Sequence, residues 1–439
     1  QYSINSSGGP SWGESTTTKD GDKYYASDNL FPNTDIKWET TITRNLALDI
    51  SLFKGRLTVT PEFYWNTTRD LLYRCQIPTT TGYSYQWQNV GKVSNKGIEL
   101  TMNGDILRGK DYVLSANLTM GWNKTKVEKI NGTDAYIPGK KWDSEDNFRL
   151  VEGQEVGLIY GYVYDGIYGF DEFHRNGFNY AANDEEYLAD NPGVQEKPTV
   201  EGLFGTAPGR IKLKDLNGDG KIDINDRTVV GNTNPKLQGG FGLNGRWKNF
   251  DFVANFTYML DFDVINATAY DLSTACGASQ TNPRNVLAKF GYDNRWVYYG
   301  DIYNTNADGT QSIYNLNEPL LSNSQHIDYL DVYESVNAGK TLWNPQDVTA
   351  RYTLSNFVED GSFLRLNDLT IGYTLPTSLT KKWGISRLRV YVTGSNIFCI
   401  TGYSGYDPEV DIQNGLTPNV DYNRYPRSHS YLLGLNLSF

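Results

Sequence analysis

The chain has 439 residues, and its 51 Asp and Glu against 40 Lys and Arg leave a formal net charge of −11, which argues against a nucleic-acid partner. No apolar run is long enough for a membrane-crossing helix, but strands of a membrane barrel alternate and keep overall hydropathy low, so a barrel stays open. The 32 Tyr and 43 Gly against 3 Met suit strands, turns and aromatic girdles; composition alone fits a secreted soluble all-β protein equally well.

The first sixteen residues, QYSINSSGGPSWGEST, are polar and Gly/Ser-rich. They have neither the basic start nor the apolar centre of a signal peptide. For an exported protein this implies a mature start elsewhere, or a chain that is a piece of a longer one. The first strong pattern follows. Leu46, Leu48, Ile50 and Leu52 alternate with Ala47, Asp49 and Ser51, and a tight turn leads to Leu57, Val59, Phe63 and Trp65 alternating with Thr58, Thr60, Glu62 and Tyr64. This period of two predicts a hairpin. Pro61 falls on its apolar face, where a bulge is expected.

The pattern recurs through Ile98, Leu100 and Met102, then Leu114, Ala116, Leu118, Met120 and Trp122. It returns at Phe241, Leu243 and Trp247, and at Phe252, Ala254, Phe256 and Tyr258. Leu369, Ile371, Tyr373 and Leu375 lead to Leu388, Val390 and Val392, and Leu433, Leu435, Leu437 and Phe439 close the chain. Strands are predicted at 40–53, 57–72, 92–107, 112–128, 237–247, 250–265, 362–374, 387–399 and 430–439.

The connections alternate strictly between short (54–56, 108–111, 248–249, 375–386) and long (73–91, 129–236, 266–361, 400–429). A transmembrane barrel sorts its connections in this way, with short periplasmic turns and long outer loops. The strands exceed the usual soluble length of roughly 5–6 residues and suffice to cross a bilayer with tilt. Their second face carries Asp, Asn, Thr, Ser and Tyr, which suits a wet lumen. The predicted fold is therefore an all-β, transmembrane antiparallel barrel portion of about nine strands over 1–439, with 129–236 as a long extracellular loop region. An odd strand count leaves an open edge, so further strands are expected upstream. The alternating last strand ending in Phe439 resembles the signal read by the outer-membrane insertion machinery.

Several segments, in order, resemble the SusC-like family of TonB-dependent outer-membrane transporters. They are IKWETT (36–41), NVGKVSNKGIEL (89–100), VEGQEVGLIYGYVYDGIY (151–168), GRIKLKDLNGDGKIDINDRTVVGNTNPKLQGGF (209–241), SFLRLNDLTIGYTLP (362–376), TGSNIFCITGYSGYDPEV (393–410) and YPRSHSYLLGLNLSF (425–439). The resemblance implies the C-terminal part of a barrel of about 22 strands. It implies a location in the bacterial outer membrane, embedded in its lipid, and a plug domain that this chain lacks. It also implies a SusD-like surface lipoprotein as partner, energy from TonB acting through the plug-bearing part, and a cargo of oligosaccharide or peptide. The stretches 1–33, 171–205 and 266–350 carry little of it and read as variable outer loops.

The sharpest local motif is DLNGDGKIDIND at 215–226. Asp215, Asn217 and Asp219 stand at positions 1, 3 and 5 of an EF-hand-like loop, Gly220 at the turn, and the Lys221 carbonyl at position 7. Asp223 acts at position 9 through water, and Asp226 closes at position 12. The closing Asp resembles that of dockerin-type loops. A structural Ca²⁺ is expected; the bland reading is an acidic turn with no ion. Tyr83, Tyr85 and Trp87 form one aromatic group and Tyr160, Tyr162, Tyr164 and Tyr168 another. They are sugar-stacking candidates or, more simply, girdle and loop-packing residues. Cys75, Cys276 and Cys399, and His174, His326 and His429, are too far apart in sequence for a disulfide framework or a metal motif. No catalytic motif is present, so an enzyme is not expected. The rival reading is a secreted soluble carbohydrate-binding β-module with a dockerin-like calcium loop.

Overall fold

The computed structural model describes residues 15–17, 23–25, 30–81, 83, 85–130, 136–138, 147–176, 179–181, 183, 185–192, 196–200, 204–274, 285–298, 303–305, 311–313, 331–348, 351–410 and 418–439. Cys276 and His326 lie outside them. The chain separates into two compact units: Gln1–Met102, Gly121–Ile137 and Leu150–Val156 form the first, and Asn103–Met120, Pro138–Arg149 and Gly157–Phe439 the second.

In the first unit, β1 (Thr40–Ile42), β2 (Asn45–Ala47) and β3 (Ile50–Leu52) lie in succession along one long strand, β4 (Leu57–Arg69). The predicted continuous strand over 40–53 is thus three short ones. Thr40 faces Arg69, Asn45 faces Tyr64 and Ile50 faces Val59, so a single register holds throughout. The bulge expected at Pro61 does not form. Leu48 N–H donates to the Pro61 carbonyl at 3.1 Å, and proline has no N–H to return the bond, so pairing lapses there instead. β5 (Leu72–Gln76) and β6 (Tyr85–Asn89) form an antiparallel hairpin. β7 (Gly91–Arg108) and β8 (Tyr112–Ile130) each contribute a part to each unit.

The two faces of this first sheet differ in chemistry. Leu46, Leu48, Phe63 and Trp65 are exposed on one side. On the other, Asn45 bonds Glu62 at 3.0 Å, Thr60 bonds Asp49 at 2.8 Å and Thr41 meets Thr68 at 3.0 Å.

The second unit repeats this more regularly in β9 (Leu237–Trp247), β10 (Phe250–Leu260), β11 (Phe363–Thr374), β12 (Arg387–Thr401) and β13 (Ser430–Ser438), each antiparallel to the next. Phe252, Ile371, Val392 and Leu433 form one row across four strands, and Phe250, Tyr373, Val390 and Leu435 the next. These residues stand bare: Ile371 is 51% exposed, Leu435 62% and Leu433 73%. The opposite face is polar. Asn255 donates to Asp368 at 2.6 Å, Thr370 meets Thr393 at 2.8 Å, and Arg389 binds Asp251 through two nitrogens. Extra residues at Asn367 on β11 and at 396–397 on β12 shift the register. The shift restores Phe256 against Leu366 and Leu366 against Phe398, so the apolar side stays apolar past the bulge.

Water penalises such a bare hydrocarbon face at roughly 25 cal/mol per Å², and soluble monomers rarely expose one so large. Hydrocarbon solvent removes the penalty. A secreted soluble module, with both sheet surfaces in water or in a core, is not supported.

The main hydrophobic core of the second unit lies in the long connections. Tyr162, Phe204, Ile211, Leu213 and Ile222 from 129–236 pack with Tyr270, Phe290, Trp343, Val348, Tyr352, Leu354 and Phe357 from 266–361. Tyr162 meets Tyr352 edge-on at 6.2 Å, and Tyr270 meets Phe357 at 5.0 Å, geometries that aromatic quadrupoles favour. A second cluster joins Phe148 and Ile159 to Ile265, Ala267 and Val420, and Asn419 donates to the Thr233 carbonyl at 2.8 Å. Described residues of three long connections therefore pack together within the second unit.

Two buried charge sites lie within this body. On the polar side of β11, Arg365 donates to Asp407 at 2.6 Å and lies 3.5 Å from Glu409, while Arg427 reaches both acids at 3.5 and 3.0 Å. Removing one partner of a buried pair leaves an uncompensated charge. Asp407→Ala should cost roughly 3–5 kcal/mol, and Arg365→Met with Asp407→Leu should cost less than Asp407→Ala alone. Melting the full-length variants in detergent checks both. In the second site Asp347 pairs with Arg210, bridging two connections. Burial pushes the Asp347 carboxyl up to about 6, against the opposing pull of Arg210. Its folded pKa lies above the unfolded value, so the folded state holds the proton more tightly. Its stabilisation is full below about pH 4 and is lost as pH rises through about 6. Asp347→Asn should gain on the wild type by on the order of 2–3 kcal/mol between pH 4 and 7, read from paired melts or amide exchange over 343–348.

Candidate functional site

The acidic loop leaves the buried strand Ile211–Leu213 and ends in a short turn, Ile224–Asp226. Gly218 and Gly220 have φ of +74° and +77°, a region that a Cβ disfavours, so the tight wrap depends on glycine there. Ile222 is fully buried in the main core and pins the loop to it.

The predicted ligands are already occupied within the loop. Asp215 accepts from Gly218 N–H at 2.6 Å and from Gly220 N–H at 2.9 Å. Asn217 accepts from Asp219 N–H, and Asp219 from Lys221 N–H, each at 2.9 Å. Asp223 accepts from Asn225 N–H at 2.6 Å. Asp226 is fully buried; its two oxygens accept from Leu216 N–H at 2.8 Å and Asp223 N–H at 2.9 Å. Among the described residues, no three His, Cys, Asp or Glu side chains converge as metal ligands would. In this arrangement Asp226 organises the loop by capping both of its ends.

The aromatic candidates divide. Tyr85 and Trp87 share one face of β6, two residues apart, and Trp87 is 41% exposed. Tyr83 precedes the strand and packs edge-on against Phe31 at 5.3 Å. Tyr160, Tyr162 and Tyr168 are buried packing residues, in line with the simpler reading. His174 stacks on Tyr187 at 4.1 Å. The Arg365, Asp407, Glu409 and Arg427 group is not legible in sequence, because its members lie 42 and more residues from Arg365 or on separate turns of one connection.

No family model matches the chain. TonB-dependent receptor P3 of Formosa agariphila is 29% identical over 419 residues, covering 93% of this chain and 35% of the receptor. TonB-dependent receptor SusC of Bacteroides thetaiotaomicron is 28% identical over 427 residues, covering 95% of this chain and 34% of SusC. Among solved structures, the RagAB peptide transporter superposes with a TM-score of 0.64 over 97% of this chain and 38% of its own, at 22% identity. That likeness shows the fold alone, part of a β-barrel wall. The chain spans about a third of the length of the curated relatives it matches. With its two-faced strands, its sorted connections and this similarity along nearly its whole length, the chain is homologous to TonB-dependent receptors, SusC among them, and has the fold of an outer-membrane β-barrel wall.

Proposed function

We propose that the full-length protein imports a bulky nutrient across the bacterial outer membrane, with this chain forming part of the passage wall. The observation that carries the reading is the two-faced sheet: bare hydrocarbon on one side, and on the other a hydrogen-bonded polar surface of Asp251, Asn255, Asp368, Thr370 and Arg389. Such a surface binds and releases polar cargo without covalent chemistry. The kinship with TonB-dependent receptors supports coupling to TonB. A SusD-like lipoprotein at the long-loop end is the proposed partner. The cargo class is an oligosaccharide or a peptide; the structural neighbour RagAB is a peptide transporter, which supports the second. Tyr85 and Trp87, sharing a face, are proposed cargo contacts, with Tyr83 supporting them.

We propose further that the 215–226 loop takes a structural Ca²⁺ through Asp215, Asn217, Asp219, the Lys221 carbonyl, Asp223 and Asp226. Spacing supports this, as does the exposure of Asn217, Asp219 and Lys221. Each carboxylate can keep its backbone amide and still offer a free lone pair to the ion.

Cells given labelled oligosaccharides and peptides should take up one class at least about ten-fold faster with the gene intact than with it deleted or with TonB removed. Equal uptake in all three strains contradicts import. Ca²⁺ at roughly millimolar concentration, the range of extracellular sites, should raise the melting temperature of the wild type by several degrees and leave Asp215→Ala/Asp219→Ala unmoved. No shift in the wild type removes the ion from the account.

A further inference from the structure

On the apolar face of the second unit, at the short-turn end, the strands leave a hollow of about 620 Å³. Tyr112, Leu114, Trp247, Phe252, Leu369 and Ile371 wall it. It exists because of a missing side chain. Gly245 faces Phe252 across β9 and β10, and a Cβ on Gly245 would stand 2.0 Å from the Phe252 ring. Any other residue there would push the ring away and remake the wall.

Two short turns close the hollow at one end, joined by a 2.7 Å bond from Lys248 N–H to the Asp111 carbonyl. They concentrate positive charge. Arg108, Lys110, Arg246 and Lys248 are all exposed, and Arg246 also borders the hollow. Of the nearby acids, Asp105 holds Arg108 at 3.4 Å and Ser115 at 2.7 Å, Asp251 is bound by Arg389, and Asp111 is exposed in the same turn as Lys110, so the four basic residues outnumber the three acids. The Lys248 ammonium lies 5.6 Å over the Trp247 ring, at the hollow's edge. An apolar slot with the exposed Lys110 and Lys248 at its end has the chemistry of one amphiphile, a hydrocarbon chain with an anionic head.

We propose that this hollow seats an acyl chain of an anionic phospholipid, with its phosphate held by Lys110 and Lys248. Short turns mark the periplasmic side of a barrel, so the lipid belongs to the periplasmic leaflet. Each basic side chain near an anionic headgroup strengthens its retention several-fold, whereas bulk hydrocarbon contact does not distinguish head groups. The site lies on the outside of the wall, away from the polar face assigned to cargo.

Native mass spectrometry of the full-length protein in detergent tests this, with dioleoyl phosphatidylglycerol and dioleoyl phosphatidylcholine as probes. The wild type should retain one phosphatidylglycerol with about a ten-fold preference. Lys110→Glu/Lys248→Glu should abolish the preference, and Ile371→Trp, which fills the slot, should weaken retention of both lipids. A heat-dependent shift on a gel verifies that each variant is a folded barrel. Equal retention of the two lipids by the wild type, unsaturable binding of many copies, or an unchanged preference in the lysine variant each overturns the proposal. Loss of nutrient uptake is not expected in any of these variants, so failure here and failure of the import reading are separate results.

Discussion

Hydrocarbon offers no hydrogen-bond partner to a peptide group, so a chain that enters a bilayer as strands must satisfy every N–H and C=O in a ladder with its neighbours. In the second unit β10, β11 and β12 meet that constraint with an antiparallel neighbour on each side, in a series that runs from β9 to β13. A strand needs about 9–11 residues to cross; β9 and β10 have 11 each and β13 has 9. With the backbone satisfied laterally, the side chains sort by face. The period of two then puts Leu433, Leu435 and Leu437 toward lipid and Gly434 and Asn436 toward the other side. The bulge at Asn367 belongs to the same logic, since it changes the register without exchanging the faces.

A barrel wall of this kind has no hydrophobic core of its own, and the structure builds one elsewhere. The connections at 129–236, 266–361 and 400–429 contribute apolar residues to shared clusters. Each connection alone is too poor in secondary structure to bury its aromatic residues. Ordering a long connection costs entropy that grows slowly with length, and side chains such as Tyr270, Trp343 and Leu354, nearly or fully buried, offset it. The charged pairs Arg365–Asp407 and Arg210–Asp347 fix how the connections meet. The acidic loop inherits its position from this body through Ile222. Among the described residues, the long connections therefore meet in shared apolar clusters rather than standing apart as separate loops.

The wall is legible in the sequence because its signal is local. Phe252, Ala254 and Phe256 announce a face within five residues, and the structure places them on it. The sorting of connections by length is equally visible. Pro61 marks a real interruption, but the interruption is a lapse in pairing and not a bulge. Sequence shows that a donor is missing, whereas the partner strand decides whether the ladder shifts or lapses. The loop body is not legible, because Tyr162 and Tyr352 meet across a separation that no periodicity marks. Spacing marks Asp226 as an ion-ligand candidate, while its burial and its two backbone donors are legible only in the folded loop.

A lipid-facing wall requires β13 to have one side in hydrocarbon and one side in water. Nitroxide labels placed singly at 431 to 438 in the full-length protein, in membranes, test it directly through collision with oxygen and with a water-soluble nickel reagent. Positions 431, 433, 435 and 437 should favour oxygen and 432, 434, 436 and 438 the nickel reagent, alternating without a break. Uniform protection of both sets, or uniform access of the nickel reagent, contradicts such a wall.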